Sequence, residues 1–506
     1  MKTIKKLPEA CASLNDVRFE IDTIDREIIA ALGRRLAYVK AAAAFKPTEE
    51  SIAAPERVGA MIAERRIWAE DAALNADFVG PLFAQIIHWF IAQQVHYWRE
   101  LRSPGWSSGS RQRSWGNLQV QENEFFFSSK FRTLHGRGLK PIQVGQQADS
   151  ASILLATSKA FSEMGESGPS PIVVGAIPFS SDSAACLFAS QSAEVFLPSS
   201  DERSRSCREL EKLDPIKILD VPRPEAYMAS VERALAILNN GNIKKIVLAR
   251  TLEISIKSAV NISHLISKLA RGNPSSFTFS VPVWTEEDFY SFVGVSPELL
   301  VQKMGRRIIT NPLAGSIRRG ATPEEDLANS ERLLASAKDR YEHSIVVAAV
   351  MRALGPFCTR LTVSDEPSLI KTPTVWHLGT NIVGELLTPE ISSLELALAL
   401  HPTPAVCGDP KDSALRAIME IEEFDRRLYA GLVGWMDAKG DGEWAVALRC
   451  AEIGKQRVRL FAGAGIVNGS RPEVELAETT AKLRTMLDAL GIEGPFYDHA
   501  HSALKS

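Results

Sequence analysis

No run of this chain reaches the roughly 18 consecutive apolar residues that a membrane-spanning helix requires, so a bilayer is not an expected environment. The opening stretch MKTIKKLPEACASL has two lysine clusters and lacks the apolar segment of a secretory signal; a cytoplasmic protein is the expectation. Charge of one sign is scarce as well. The 58 Lys and Arg against 61 Asp and Glu leave a net charge of −3, which gives no general attraction to nucleic acid or to an acidic membrane. Cysteine is sparse: Cys11, Cys186, Cys207, Cys358, Cys407 and Cys450 stand far apart with no CxxC pair, against a zinc site or a disulfide framework. They are expected to be reduced and structural. What remains is an ordinary composition, 45% hydrophobic and 24% charged over 506 residues, enough to bury the cores of roughly two to four domains.

The chain changes character near residue 100. Before it the pattern is purely helical; then WSSGSRQRSWGN (106 to 117) is poor in aliphatic residues and rich in Ser, Gly and Arg; after it a long mixed pattern of strands and helices begins. This predicts a helical domain over 1–100, a linker over 101–117 and a large α/β sandwich over 118–506, the last without an internal repeat. In the first part Val17, Ile21, Ile24, Ile28, Leu32, Leu36 and Val39 recur at three- and four-residue steps, one apolar stripe on a long helix. Ser13 and Asp16 form a cap for it. Pro47 and Pro55 bracket a break. A second helix carries Val58, Met61, Ile62 and Trp68, and a third runs from about Asp77 through Ile87 and Phe90 to Val95. Helices this amphipathic want a partner surface.

Cations sit on this scaffold: Arg18 and Arg35 on the first helix, Lys46 just past its end, Arg57 at the start of the second. Solvated or snorkelling surface charge accounts for most Arg and Lys. The alternative has a geometric consequence. Arg18 and Arg35 are 17 residues apart, so about 25 Å separates them along one helix, too far to grip one small molecule. If both bind one substrate, they come from different chains, in an intertwined homodimer where Arg18 of one protomer completes a site made by Arg35, Lys46 and Gln94 of the other.

The stretches VRFEIDTIDREIIAALGRRLAYVKAAAAFK (17 to 46), APERV (54 to 58) and FAQIIHWFIAQQVHYWR (83 to 99) resemble the isochorismate pyruvate lyases of the all-helical chorismate mutase superfamily, over essentially all of residues 1–100. The resemblance implies a three-helix intertwined dimer of the chorismate mutase type II kind. In that family an arginine of the neighbouring protomer, an arginine and a lysine of the first helix and its following loop, and a glutamine of the last helix surround the substrate. By position these are Arg18, Arg35, Lys46 and Gln94, with Arg57 a further candidate. Mutases of this fold usually add an acidic residue from the second helix, and none follows Pro55 at the matching place; that favours the lyase, with mutase side activity. Eliminating pyruvate from isochorismate needs no nucleophile. It needs a diacid held in a reactive conformer and charge stabilised on the ether oxygen, the first suited to arginine's two-point grip and the second assigned to Lys46.

In the second part, strands are predicted at KIVLAR (245 to 250), FTFSVPVW (277 to 284), WAVALRCAEI (444 to 453) and RVRLFAGAGIV (457 to 467), and helices over Asp326 to Leu354 and Pro472 to Leu490. Asp339 and Glu342 share one helix face, as do Glu475 and Glu478. Most such pairs are solvated helix surface. Two pairs converging on one pocket would repel unless a cation lay between them, and hard oxygen donors suit Mg²⁺. Lys245 leads an otherwise apolar strand face, which by itself is the mark of a strand-end lysine. Glu298 in GVSPELL follows a turn signal. AGAGIV (462 to 467) can turn tightly and offer backbone N–H groups to an anion. Arg449, ending an apolar strand, needs an anionic partner or an exit to water.

Together FFFSSKFRTL (125 to 134), KKIVLAR (244 to 250), GVSPELL (294 to 300), PLAGSIRRG (312 to 320), DRYEH (339 to 343), HLGT (377 to 380), HPTPAVCG (401 to 408), RLYAGLVGW (427 to 435) and AGAGIVNGSRPEVELAET (462 to 479) resemble the chorismate-utilising enzymes: isochorismate, salicylate, anthranilate and aminodeoxychorismate synthases. The resemblance covers about residues 120 to 490. It implies Lys245 as the base that activates water and Glu298 as the acid for the leaving hydroxyl. It implies Mg²⁺ held directly by Glu342 and Glu478, with Glu475 and Asp339 acting through water. Gly315 and Ser316 then hold the ring carboxylate, Tyr429, Arg449 and the Gly463 amide the enolpyruvyl carboxylate, and His377 lies near the reacting ring. HPTPAVCG resembles the dedicated isochorismate synthases rather than salicylate-forming or aminating members. The expectation is a bifunctional enzyme that takes chorismate to isochorismate in the larger domain and isochorismate to salicylate and pyruvate in the smaller. A one-site salicylate synthase with a dimerising or regulatory helical module is the alternative, and an aminating synthase a third. Salicylate implies, by family association, a siderophore or related product downstream.

Overall fold

The computed structural model describes residues 8–43, 45–46, 50–53, 55–102, 119–130, 132–145, 148–164, 171–190, 192–196, 213, 215–285 and 288–492. The chain divides into two compact units, Met1–Gly109 and Ser110–Ser506. The last helix of the first unit ends at Arg102, so positions 101 and 102 of the expected linker are helical; WSSGSRQRSWGN lies outside the described residues.

The first unit is helical throughout. Its long helices are Leu14–Ala43, Pro55–Asp71 and Ala76–Arg102, with one extra turn at Glu50–Ala53. The first is capped reciprocally: Ser13 Oγ accepts from the Asp16 amide at 3.1 Å, and the Asp16 carboxylate accepts from the Ala12 amide at 3.1 Å. Ala69, Val79, Ile87 and Phe90 are buried. The predicted stripe is not. Val17, Ile21, Ile24 and Ile28 are 38%, 52%, 48% and 53% exposed, because none of the described residues covers the N-terminal half of that helix.

The second unit stacks a ten-stranded sheet on a nine-stranded one and adds a three-stranded sheet. Phe279 and Phe292 from the larger sheet meet Val174, Val433 and Trp444 from the other in a shared core. The opposite face of the larger sheet, with Leu252, Ile254 and Leu460, packs on helices Ile262–Gly272 and Pro472–Leu490 through Leu265, Leu269, Leu483 and Met486. Strand alternation explains the run at Phe125–Ser128: Phe125 and Phe127 enter the first core and Phe126 the second. Burying a side chain of that size stabilises by about 1.5–3 kcal/mol.

Three expectations are corrected. The stretch 444–453 is two strands: Gly442–Val446 belongs to the nine-stranded sheet and Cys450–Ile453 to the ten-stranded one. The chain crosses between them at Ala447–Arg449, with Arg449 at φ +45. The helix over 326–354 is two, Pro323–Ala335 and Ala337–Leu354, separated by Ser336, whose hydroxyl accepts from the Asp339 amide and starts the second. The glycines of AGAGIV make no turn, since they lie inside the continuous strand Arg457–Ile466.

A second chain segment crosses beside the first. Strand Phe289–Ser296 lies in the ten-stranded sheet and Leu299–Met304 in the nine-stranded one, with Glu298 between them. The crossings are tied together: the Val295 amide donates to the Arg449 carbonyl at 3.1 Å, and the Val446 amide to the Glu298 carbonyl at 3.2 Å. Strands that switch sheets make the corners of such sandwiches, and this corner carries Glu298 and Arg449 together.

Candidate active site

Around that corner lies a cavity lined by Glu298, Gly315, Ser316, Glu342, His377, Tyr429, Arg449, Gly463 and Glu478, with walls from Val247, Leu313, Ala405, Val406 and Phe461. The sequence stretches that supply them are far apart, and the fold brings them into one place.

Lys245 starts the strand Lys245–Ile256 and is fully buried, its Nζ 2.7 Å from Glu342 Oε1. Burial alone would raise the Glu342 carboxyl, but Lys245 beside it holds it below its ordinary value. The pair depends on a glycine. A Cβ on Gly465 would stand 2.3 Å from Glu342 Oε1 and 2.9 Å from Lys245 Cε, so the missing side chain there is clearance for this ion pair. Gly463 serves the same end: its Cβ would meet the Tyr429 hydroxyl at 2.8 Å. Gly315, at φ +76, backs onto Asp339, whose Cβ a side chain would approach at 3.0 Å.

Glu298 is 2% exposed, and burial pushes its carboxyl up to about 8. It is a neutral acid near pH 7. Arg449 is 5% exposed and burial lowers it to about 10, still a cation. One of its terminal nitrogens, Nη2, donates to His377 Nε2 at 2.6 Å; the other, Nη1, is buried without a hydrogen-bond partner among the described residues. Such a group costs about 1–3 kcal/mol unless an acceptor reaches it. Burial, then Arg449, holds His377 well below its ordinary value, so this ring is neutral and accepts from the guanidinium. The Ser316 hydroxyl is likewise buried and unpartnered. Tyr429 stacks on Phe461, centroids 5.1 Å apart, and burial raises its phenol.

The acidic groups come from two helices, Asp339 and Glu342 from Ala337–Leu354, Glu475 and Glu478 from Pro472–Leu490. Glu475 is pushed up to about 7, by burial first and by Glu478 second; burial also raises Asp339. This crowding of hard oxygen donors suits a divalent cation. As placed, each of the three glutamates meets a lysine: Lys245 for Glu342, Lys338 at 2.9 Å for Glu475, Lys482 at 2.6 Å for Glu478. Among the described residues no three acidic, imidazole or thiol groups stand together as an ion would need them. Glu475 and Asp339 back the cavity rather than line it.

Lys338 and Lys482 escaped the sequence reading. Lys482 lines the cavity and also donates to the Gly463 carbonyl at 2.8 Å. Its signal was available, because Lys482 follows Glu478 by four residues on one helix and so shares its face.

In the helical unit Arg35 packs over the Phe90 ring at 4.4 Å, and its Nη1 is buried without a hydrogen-bond partner among the described residues. Burial, then Arg65, lowers this guanidinium. Gln94, one turn past Phe90, is buried, and Lys46 Nζ donates to the Ser51 carbonyl at 2.6 Å. Arg18 and Arg57 are exposed. Because Leu14–Ala43 is one unbroken helix, Arg18 and Arg35 keep the wide separation expected of them.

Two family models match the chain: chorismate binding enzyme over residues 150–491 and chorismate mutase type II over 17–95. The isochorismate synthase DhbC of Bacillus subtilis is 43% identical over 383 residues, which is 74% of this chain and 95% of that protein. The isochorismate synthase EntC of Escherichia coli is 38% identical over 383 residues, 73% and 95% of the two chains. Among solved structures, that of a DhbC-type isochorismate synthase of Bacillus anthracis superposes with a TM-score of 0.68 at 39% identity, covering 75% of this chain and 99% of that one. The menaquinone-specific MenF of Escherichia coli shares the fold at a TM-score of 0.61 and 23% identity, over 76% and 92%.

Proposed function

Because the chain belongs to the chorismate-binding enzyme family and carries a chorismate mutase type II segment ahead of that domain, we propose that it makes salicylate from chorismate in two steps, one in each unit. The larger unit isomerises chorismate to isochorismate; the helical unit splits isochorismate into salicylate and pyruvate. One observation carries the first step: a single cavity is lined by Glu298, whose carboxyl burial raises, by Glu342, whose buried partner is Lys245, and by Arg449, whose buried Nη1 has no acceptor among the described residues.

In this mechanism Lys245 takes a proton from the water that adds at C2. Glu298 gives its proton to the C4 hydroxyl, which departs as water. Arg449, Tyr429 and the Gly463 amide receive the enolpyruvyl carboxylate, with Lys482 adding a second cation on the same wall. Gly315 and Ser316 face the ring carboxylate. Mg²⁺ would be held by Glu342 and Glu478, with Glu475 through water, and when bound it supplies the charge that a second substrate carboxylate requires.

The second step asks less of proton transfer. Hydrogen moves from the ring to the enolpyruvyl methylene carbon as the C–O bond breaks, and Arg35, Gln94 and Lys46 hold the diacid and the ether oxygen. The buried, unpartnered Arg35 nitrogen and the half-exposed stripe from Val17 to Ile28 support a site finished by a second copy, whose Arg18 enters it.

A pair of lysine variants in the full chain tests the assignment. Lys245→Ala should slow chorismate consumption by about 10³–10⁴-fold and still turn supplied isochorismate into salicylate. Lys46→Ala should do the reverse, accumulating isochorismate. Salicylate formed from chorismate at the wild-type rate by Lys46→Ala would place both steps in the larger unit and refute the division.

A further inference from the structure

One ion pair close to the cavity is not used by this chemistry. Glu422 and Arg426, their side chains 4% and 3% exposed, form a two-point pair with Arg426 Nε donating to Glu422 Oε2 at 2.8 Å and Nη2 to Oε1. Arg426 also lies over the Phe179 ring at 4.3 Å, and among the described residues the outward hydrogen bonds of the pair all go to backbone. Arg426 Nη2 donates to the Val247 carbonyl at 2.7 Å and Nη1 to the Val406 carbonyl at 2.8 Å, while Glu422 Oε1 accepts from the Ala249 amide at 2.7 Å.

These contacts fall where a strand is missing. On the outer edge of Lys245–Ile256, the short strand Gly408–Asp409 pairs with Lys245 and Ile246, and Pro215–Val221 pairs from Thr251 onward. The Val247 amide still reaches the Cys407 carbonyl at 2.7 Å. Between there and Thr251 no strand among the described residues covers the edge, since the chain before Gly408 leaves the sheet to put Ala405 and Val406 into the cavity wall. An exposed edge here would leave a buried carbonyl and a buried amide without partners, which is costly in a water-free interior.

We propose that the Glu422–Arg426 pair stands in for the absent strand, and that Glu422 and Arg426 are positioning residues for the reaction of the larger unit: they fix Lys245 and Val247 on one wall against Val406 on the other. The carboxylate supplies the acceptor and the guanidinium the donor that a neighbouring strand would have offered. One arginine also clamps both walls, through its bonds to the Val247 and Val406 carbonyls. Lysine could not do this, because a single ammonium lacks the planar fork. The inference rests on the chorismate reading for its activity measurement, and on the strand geometry alone for its exchange measurement.

The test uses the full chain with chorismate and Mg²⁺. Removing both charges together, as E422M/R426M, avoids leaving a lone buried charge. In that variant kcat should fall about 100-fold with KM within about threefold, the size expected for misplaced reacting groups. Amides from 246 to 250 should exchange with deuterium faster than wild type while the rest of the sheet is unchanged. Should the double variant not fold, Arg426→Lys keeps the charge pair and should still lose about tenfold in kcat. Wild-type kcat in either folded variant overturns the proposal, as does unchanged exchange at 246–250. Failure of the wild-type chain itself to consume chorismate would refute the functional reading instead, and the exchange result would still decide the structural one.

Discussion

The two units differ in how much of a site one chain can close. In the sheet unit the working groups are sealed: Lys245 is 0% exposed, Glu298 2% and Arg449 5%. In the helical unit Arg18 and Arg57 are exposed and the leading apolar stripe is about half bare. A sandwich encloses a cavity at a corner where strands change sheets, so burial shifts its acids and bases within one chain. Three helices cannot enclose one. On the proposed reading they offer a face for substrate and a face for another copy. The chemistry assigned to each follows the same division, since proton transfers need tuned groups and an elimination held by cations does not.

The sharpest way to break that comparison is to damage the bare stripe. Ile28→Glu places a charge on the face proposed to meet a second copy. Lyase turnover should fall by at least about 100-fold, as the loss of an arginine from a charged site commonly costs several kcal/mol, and sedimentation should show a monomer. Isochorismate formation should hold within about twofold. If both activities fall together, the larger unit also needs the dimer, and the contrast between a closed and an open site fails.

A smaller effect separates the units by pH. Glu298 is useful only while protonated, and burial places its carboxyl at about 8, so chorismate consumption should decline about tenfold per unit as pH rises beyond 8. Lyase turnover of supplied isochorismate has no such group and should stay flat over that interval. The sign for stability is the same. The unfolded carboxyl has its ordinary value of 4.5 and the folded one about 8; the folded state therefore binds the proton more tightly, and this contribution to stability is lost as pH rises between those values. In Glu298→Gln the stability of the larger unit should lose that dependence. An unchanged profile there would mean that another buried group sets it.

How far each unit was legible follows from the same contrast. The helices could be read because one period governs a whole element, and Ser13 with Asp16 marks the start. The strands at 245, 277 and 457 could be read because both faces are buried and give long apolar runs. What escaped was where an apolar run changes partner. From Trp444 to Ile453 neither glycine nor proline interrupts the pattern, and the crossing is made instead by a non-glycine residue at positive φ, Arg449. The AGAGIV glycines misled for a related reason. Glycine reads as a turn when its use is conformational, whereas Gly463 and Gly465 make room for Tyr429 and for the Lys245–Glu342 pair. The site residues themselves were named through family resemblance; spacing alone could have added Lys482 and could not have found Glu422–Arg426, whose partners are backbone atoms far away in sequence.

The smallest predicted effect asks whether the units are independent in stability. Ser13→Ala removes the hydroxyl that accepts from the Asp16 amide and should destabilise the first helix by about 1 kcal/mol. That helix holds Arg18 and Arg35 at its two ends, yet the cap touches neither, so both turnover numbers at 25 °C should remain within about twofold. In a thermal scan the transition assigned to the helical unit should move down by about 4–8 °C, the usual shift for a domain of that size, and the transition of the larger unit should not move. Lyase activity would then be lost on heating before chorismate consumption. A shift of both transitions together would show that the units unfold as one, and the helices would then share their stability with the enclosed site.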